Sequence, residues 1–532
     1  MLNCFSRPMS KKAVVFPAVL LWLLTACGPD NPTKTPSEPE YYFYLADTAE
    51  LVFTAASSDT IYLRSNLPLS ELWPECRQAD PLLPTDTLFP VPVTISGLQL
   101  IEEDLWQVIV SDNDSVPVYH EEILLRWANE PVHIRADIPD NLCLDQRIRV
   151  RKAFFTHLPT LVIETPAQRP ISSKELWIQD TYMVLYDSRG CKTYQGKLSI
   201  KGRGNTSWAQ PKKPYTLKLD EKTELLGMPA DNRWLLLANA LDKTLLRNHL
   251  AYFLASVPGS ALGWTPRGEY VELILNGIHQ GNYYLCEKIE VDPDRLALGK
   301  NTKNDTTELS FLVELDVYFD EINRFRTPIR NLPVMIHYPD DEDLTGAQMD
   351  YIEQYFTKLE NFFYEETAKT IDEIRAYVDL ESYIDYRLLN ELTGNLESSH
   401  PKSVFMYSDK GGPLKTGPAW DYDYQTFGHF YRYGFLCVDC LWNWKIFATP
   451  EVRAIACERW ERLLPEFEKV FDEIDQKKSQ LATSAAVNES LWSFNQDINE
   501  DEDLPFEQAV DLLKQNLRSR MDWISANIST IR

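Results

Sequence analysis

The stretch NELTGNLESSHPKSVFMYSDKGGPLKTGPAWDYDYQTF, residues 390–427, decides how the chain is read. Leu380, Ile384, Leu388 and Leu392 recur every four residues ahead of it, which predicts an amphipathic helix running into the stretch. Gly394 stands where such a helix needs a residue with positive φ in order to stop. A polar loop with Asn395, Glu397, His400 and Lys402 comes next. Ser403–Ser408, the turn Asp409-Lys410-Gly411-Gly412 and the return Pro413–Trp420 read as a β-hairpin. In an antiparallel hairpin the residues entering the first strand lie beside those leaving the second. Asn395 and Glu397 are therefore expected to converge with Asp421 and Asp423. Carboxylates gathered with an amide suit Mg²⁺ and a phosphorylated ligand. The plainer alternative is an acidic hairpin end, in a chain with 79 acidic residues.

A second block, LSIKGRGNTSWAQPKKPYTLKLD, covers Leu198–Asp220. Leu198–Lys201 and Tyr215–Leu219 read as strands. The loop between them carries Gly202-Arg203-Gly204-Asn205, then Lys212 and Lys213. Glycines let backbone N–H groups approach an anion, and basic side chains neutralise it; an ordinary basic hairpin would look the same. Further on, Asp242–Val257 reads as a helix capped by Asp242, with Leu245, Leu246, Leu250 and Leu254 inward. Tyr270–Leu275, Asn276-Gly277 and Gly281–Glu287 form a second hairpin. Phe311–Asp316 is a strand whose Glu314 and Asp316 read as surface acids in preference to cleft residues. Met349, Ile352, Phe356, Leu359 and Phe363 mark a core-packing helix between Leu344 and Glu366. Leu441–Phe471 and Phe506–Ile531 are helical. Asn495–Leu504 between them lacks a full calcium-loop pattern and reads as solvated surface.

These blocks, in this order, resemble the spore-coat-protein-H (CotH-type) family of atypical kinases. The resemblance rests on the GRGN-x-x-W loop with its PKKPY and K-x-D strand, on ELTGN, and on WDYD; it runs from Leu158 almost to the C-terminus. It implies an α+β fold with a two-lobed protein-kinase-like domain that binds ATP and Mg²⁺ and phosphorylates a protein side chain. Carried over by position, it implies phosphate contacts from Lys201, Arg203, Lys213 and Lys218, with Lys218 favoured as the strand-borne lysine. It implies Mg²⁺ ligands at Asp421 and Asp423, and catalytic roles for Asn395 and Glu397. Many relatives show N-x-D with the Asp as base, whereas this chain has Asn395-Leu396-Glu397. One extra methylene moves a carboxylate by about 1.5 Å, and a misplacement of ~1 Å can cost on the order of 10² in rate. The resemblance thus carries two expectations: an active kinase, or a kinase-shaped binding lipoprotein with weak or no catalysis.

The remaining sequence divides around this body. Lys11 and Lys12 precede the apolar run Ala13–Leu24, whose dozen residues span roughly 18 Å as a helix, short of the ~30 Å bilayer core. Residues 1–27 therefore read as a signal peptide. Leu24-Thr25-Ala26-Cys27 resembles the bacterial lipobox, which implies a lipid on Cys27, a membrane partner and a cell-envelope location. Residues 28–40 are a Pro-rich tether. Residues 41–153 read as a small all-β domain, from runs such as Tyr41–Leu45, Leu51–Thr54, Leu105–Val110 and Val132–Ile138 between Pro, Asn and Asp clusters. A spacer, a carbohydrate- or protein-binding module and a cap on the main domain all fit that pattern. Residues 154–532 are assigned to the kinase-like domain with a helical C-terminal part. A content of 44% hydrophobic and 12% aromatic residues excludes global disorder. The net charge of −26 argues against a nucleic-acid partner. The cysteines after Cys27 are scattered and odd in number. Cys437-Val438-Asp439-Cys440 reads as structural, with a local disulfide as the alternative.

Overall fold

The computed structural model describes residues 42–46, 50–53, 57–67, 69, 73–76, 92–113, 116–128, 143–428, 433–493 and 498–532. The leader, Cys27, the tether and the run Val132–Ile138 lie outside the described residues. No helix among the described residues is long and apolar enough to cross a membrane.

The N-terminal region is all-β. Its strands are β1 (Phe43–Leu45), β2 (Glu50–Phe53), β3 (Ser58–Ser65), β4 (Trp73–Cys76), β5 (Val93–Leu100), β6 (Leu105–Asp112), β7 (Tyr119–Ala128) and β8 (Cys143–Lys152). They form two four-stranded sheets, ordered β1-β3-β6-β5 and β2-β8-β7-β4. Every second residue points inward, so Ile61 and Leu63, Val108 and Val110, and Ile148 and Val150 share one core. This is sandwich packing.

Next comes a closed barrel of β9 (Thr160–Glu164), β10 (Ile178–Tyr186), β11 (Lys192–Gly202), β12 (Tyr215–Leu225), β13 (Met228–Leu237), β14 (Gly268–Leu275) and β15 (Ile278–Glu287). Short β9 closes it, antiparallel to β10 and parallel to β14, which leaves no unpaired edge. Leu198 and Ile200, Leu217 and Leu219, Trp234 and Leu236 fill the interior by strict alternation. The outward residues Leu235, Leu237, Tyr270 and Tyr284 belong to the main core. They share it with α2 (Arg247–Ala255), whereas α1 (Thr206–Ala209) is a single turn in the β11–β12 loop.

The second half joins a five-stranded sheet to helices. Its strands are β16 (Phe311–Leu315), β17 (Arg324–Arg326), β18 (Pro333–Tyr338), β19 (Val404–Ser408) and β20 (Lys415–Thr416), in the order β17-β18-β16-β19-β20. The helices are α3 (Gly346–Tyr364), α4 (Ile371–Arg375), α5 (Leu380–Thr393), α6 (Asn443–Ile446), α7 (Pro450–Phe467), α8 (Val470–Leu491) and α9 (Phe506–Asn527). The α5 helix matches its expected span. Asp379 caps it by accepting from the Ser382 N–H at 3.0 Å, and Gly394 ends it at φ 73°.

Two expected elements are corrected. The helix expected from Asp242 begins at Arg247. Asp242 lies in a buried turn, where its carboxylate accepts from the N–H groups of Thr244 (2.9 Å) and Arg247 (2.8 Å). The return strand expected over Pro413–Trp420 is only Lys415–Thr416. The Gly417 N–H still reaches the Phe405 carbonyl at 2.9 Å, but Pro418 has no N–H to continue the ladder.

Candidate functional site

The site is built from two chain segments that leave the core side by side. After the left-handed turn at Gly394, the Asn395 Oδ1 accepts from the Glu397 N–H at 2.8 Å and starts the short turn Glu397–Ser399. Beyond β20 the chain runs through Asp421, Tyr422 and Asp423. Tyr422 is fully buried; its N–H donates to the Asn248 Oδ1 and its hydroxyl to the Asn390 Oδ1, both at 2.7 Å. Pinned between α2 and α5 by Tyr422, the flanking Asp421 and Asp423 both line a cleft of about 640 Å³.

The cleft lies between the barrel and the second half. Its barrel side carries Lys201, Gly202, Arg203 and Gly204 from the end of β11, and Lys288 just past β15. The facing side carries Glu314, Asp316, Glu397, Asp421 and Asp423. Lys201 Nζ lies 4.9 Å from the centre of the Trp177 ring, and the Arg203 guanidinium 5.5 Å from that of Trp420. Asp316 accepts from the N–H groups of Tyr318 (2.7 Å) and Ser403 (3.1 Å), and Glu314 pairs with His337 at 2.7 Å. Leu237, Ile289, Met335 and Phe405 supply apolar lining.

Burial pushes Asp423 well up from the usual carboxylate range, and the charge of Asp421 adds to it. Burial likewise raises Asp421, against the pull of Arg203, and raises Glu397, with Asp421 adding. Burial pushes the Lys288 ammonium down, opposed by Glu290. Glu397 Oε2 is buried with no hydrogen-bond partner. Crowded acids with an orphaned oxygen have the donor chemistry of a hard cation. Among the described residues no three His, Cys, Asp or Glu side chains are gathered closely enough to hold an ion alone. Mg²⁺ commonly takes one or two carboxylates and completes its shell with substrate phosphates and water, and Asp421 with Asp423 fits that demand.

A family model described as CotH kinase protein matches residues 200–524, more than half of the chain. The chain belongs to the CotH kinase family. No curated protein matches it. The CotH match begins inside β11 and ends in α9, so the N-terminal sheets and the strands β9 and β10 precede it.

In this CotH protein Lys201, Arg203, Glu397, Asp421 and Asp423 line one cleft. Asn395 is buried outside the lining and reaches it only by holding Glu397. The structure does not bring Lys213 or Lys218 to the cleft. Lys213 Nζ donates to the Trp208 carbonyl at 2.7 Å. Lys218 is exposed on the outer face of β12, because Leu217 and Leu219 take the inward positions. Glu314 and Asp316, read as surface acids, are cleft residues instead. Lys288 belongs to no motif in the sequence, and only the structure shows that it lies between the buried Glu287 and Ile289 and lines the cleft.

The loop Asn495–Leu504 is also corrected. Asn499 and Asp501 are buried. The Asn499 amide donates to the carbonyls of Asp423 (3.0 Å) and Leu241 (2.8 Å). Asp501 takes the Arg247 guanidinium at 2.6 Å, which also pairs with Asp242. This strap fastens the backbone of Asp423 from behind. Cys437 and Cys440 carry free, buried thiols, and the Cys437 thiol lies 3.6 Å from the Asn395 carbonyl oxygen.

Proposed function

We propose that the cleft binds ATP with Mg²⁺ and that the protein transfers the terminal phosphoryl to a protein side chain, as a two-lobed kinase-like domain whose small lobe is the barrel. One observation carries this reading: the glycine-bearing basic end of β11 faces Glu397, Asp421 and Asp423 across a single cleft. Lys201, Arg203 and Lys288 would hold phosphate oxygens through their side chains, since the N–H groups of Gly202 and Arg203 already donate to the carbonyls of Ser173 (2.8 Å) and Pro214 (3.2 Å). Asp421 and Asp423 would hold Mg²⁺, which when bound neutralises charge on the transferring group. Burial and Asp421 push Glu397 up to about 9 in the ion-free cleft, so it would act only when ionised; Oε2 would then accept the proton of the incoming hydroxyl as its oxygen bonds to phosphorus and the bond to the leaving ADP breaks. Asn395 would keep Glu397 in position. Labelled ATP with Mg²⁺ or Mn²⁺ tests the reading through autophosphorylation.

A second reading, a nucleotide-binding protein with weak or no transfer, is favoured by Glu397 itself, one methylene longer than the aspartate of many relatives. The lipobox-like Leu24–Cys27 supports an envelope location with a lipid on Cys27 as membrane anchor and protein partners there. Fractionation of Cys27→Ala is the check, and the variant is expected in the soluble fraction.

A further inference from the structure

The two outer faces of the N-terminal sandwich are chemically unlike. On the β2-β8-β7-β4 sheet the described outward residues include two ion pairs, Arg151 with Glu50 at 3.2 Å and Arg147 with Glu122 at 3.0 Å, beside the exposed Val52. That is an ordinary solvated sheet surface. The β1-β3-β6-β5 sheet differs. Its register sets Tyr44 opposite Arg64, and lines up Tyr62, Gln107 and Gln99 across three strands. The next outward row is Thr60, Ile109 and Gly97, and the one after it Ser58, Ser111 and Thr94. Tyr44, on the edge strand β1, is 46% exposed, and Tyr62, on the inner strand β3, is 39% exposed. The one cation among these residues, Arg64, is neutralised by Asp104 at 2.5 Å, and Asp104 also accepts from the Tyr42 hydroxyl at 2.8 Å.

In a chain of net charge −26 these rows carry rings, amides, hydroxyls and the aliphatic Ile109 and Leu105, with no uncompensated charge. Strands lie about 4.8 Å apart, so the Tyr62–Gln107–Gln99 row forms a flat strip roughly 10 Å long. A pyranose presents a CH-rich face, which packs on an aromatic ring, and a rim of hydroxyls, which pair with amides. A basic ligand would be drawn elsewhere on this acidic chain, and an anionic surface would meet no net positive charge.

We propose that the outer face of the β1-β3-β6-β5 sheet binds an uncharged polysaccharide, with Tyr44 and Tyr62 as stacking rings and Gln99, Gln107 and Arg64 as hydrogen-bonding partners. The site is independent of the cleft and does not rest on its proposed chemistry. The test is native gel migration of the full chain through gels containing β-glucan, xylan, galactomannan or amylopectin, with polygalacturonate as the charged control. At least one neutral gel should retard the wild type, and polygalacturonate should not. Tyr44→Ala/Tyr62→Ala should weaken that retardation about ten- to a hundredfold in apparent affinity, while Tyr433→Ala, exposed in the second half, should leave it intact. Should the tyrosine variant melt lower than wild type, Gln99→Ala/Gln107→Ala replaces it with the same expected loss. Free migration in every neutral gel, equal retardation of the face variants, or retardation by polygalacturonate alone would overturn the proposal.

Discussion

Glu397 carries the sharpest expectations of any residue in the cleft, because its Oε2 is buried without a partner while Asp421 and Asp423 crowd the same floor. Saturation at 100 times the dissociation constant should stabilise the wild type by about 2.7 kcal/mol, readable as a thermal shift with ATP and Mg²⁺. Asp421→Asn should abolish that shift and leave the metal-free melt nearly unchanged, since a crowded carboxylate gains little from its charge without an ion. Glu397→Gln should keep the shift and lose phosphoryl transfer, whereas Glu397→Asp should transfer at least as well as wild type. If no pairing of nucleotide and divalent metal shifts the wild type, the kinase reading fails; a shift without transfer selects the binding-protein reading. Asp316 gives a pH expectation. Burial raises it from 3.8 to about 6, partly offset by the Tyr318 N–H. It binds its proton more tightly folded than unfolded, so its stabilising contribution is complete below about pH 4 and is lost as pH rises through about 6. The melting temperature of the metal-free wild type should therefore fall relative to Asp316→Asn over that window; parallel curves would refute the assignment.

Elements were legible wherever a local pattern decided them. The four-residue spacing and Gly394 gave α5, and Asn276-Gly277 gave the β14–β15 turn, because propensity and packing agree there. Closure of the barrel left no comparable mark, since it depends on β9 meeting β14 across more than a hundred residues of sequence (Thr160 opposite Glu272). The misplacement of Lys218 has a related cause. Alternation shows that two residues share a face, but not which face looks into a cleft. The strap was hidden for another reason: Asn499 and Asp501 are polar residues buried by partners distant in sequence, and composition reads such residues as solvated. Asp501→Ala would leave part of the buried Arg247 guanidinium unpaired. We expect a loss on the order of 3 kcal/mol in urea unfolding, together with weaker nucleotide binding as Asp423 loosens. A change within about 0.5 kcal/mol, typical of solvated positions, would return the loop to the surface.

At the scale of the molecule, the sandwich meets the barrel through modest contacts. Val118, Phe154, Tyr186 and Ile274 form a small buried cluster. The Lys192 N–H donates to His120 at 3.2 Å, and Arg151 to the Arg189 carbonyl at 2.8 Å. The barrel keeps its own interior throughout. Residues 155–532 should therefore melt cooperatively alone, and molten or insoluble material would show that the sandwich completes the barrel. The strap bears on the order in which the site is made. Asn499 comes 76 residues after the Asp423 carbonyl that it holds. A chain emerging from the ribosome thus presents every acid of the cleft before the piece that fastens Asp423. Until that later segment arrives, Asp423 lacks the amide that holds its carbonyl, so this part of the cleft takes its shape after its side chains are already in place.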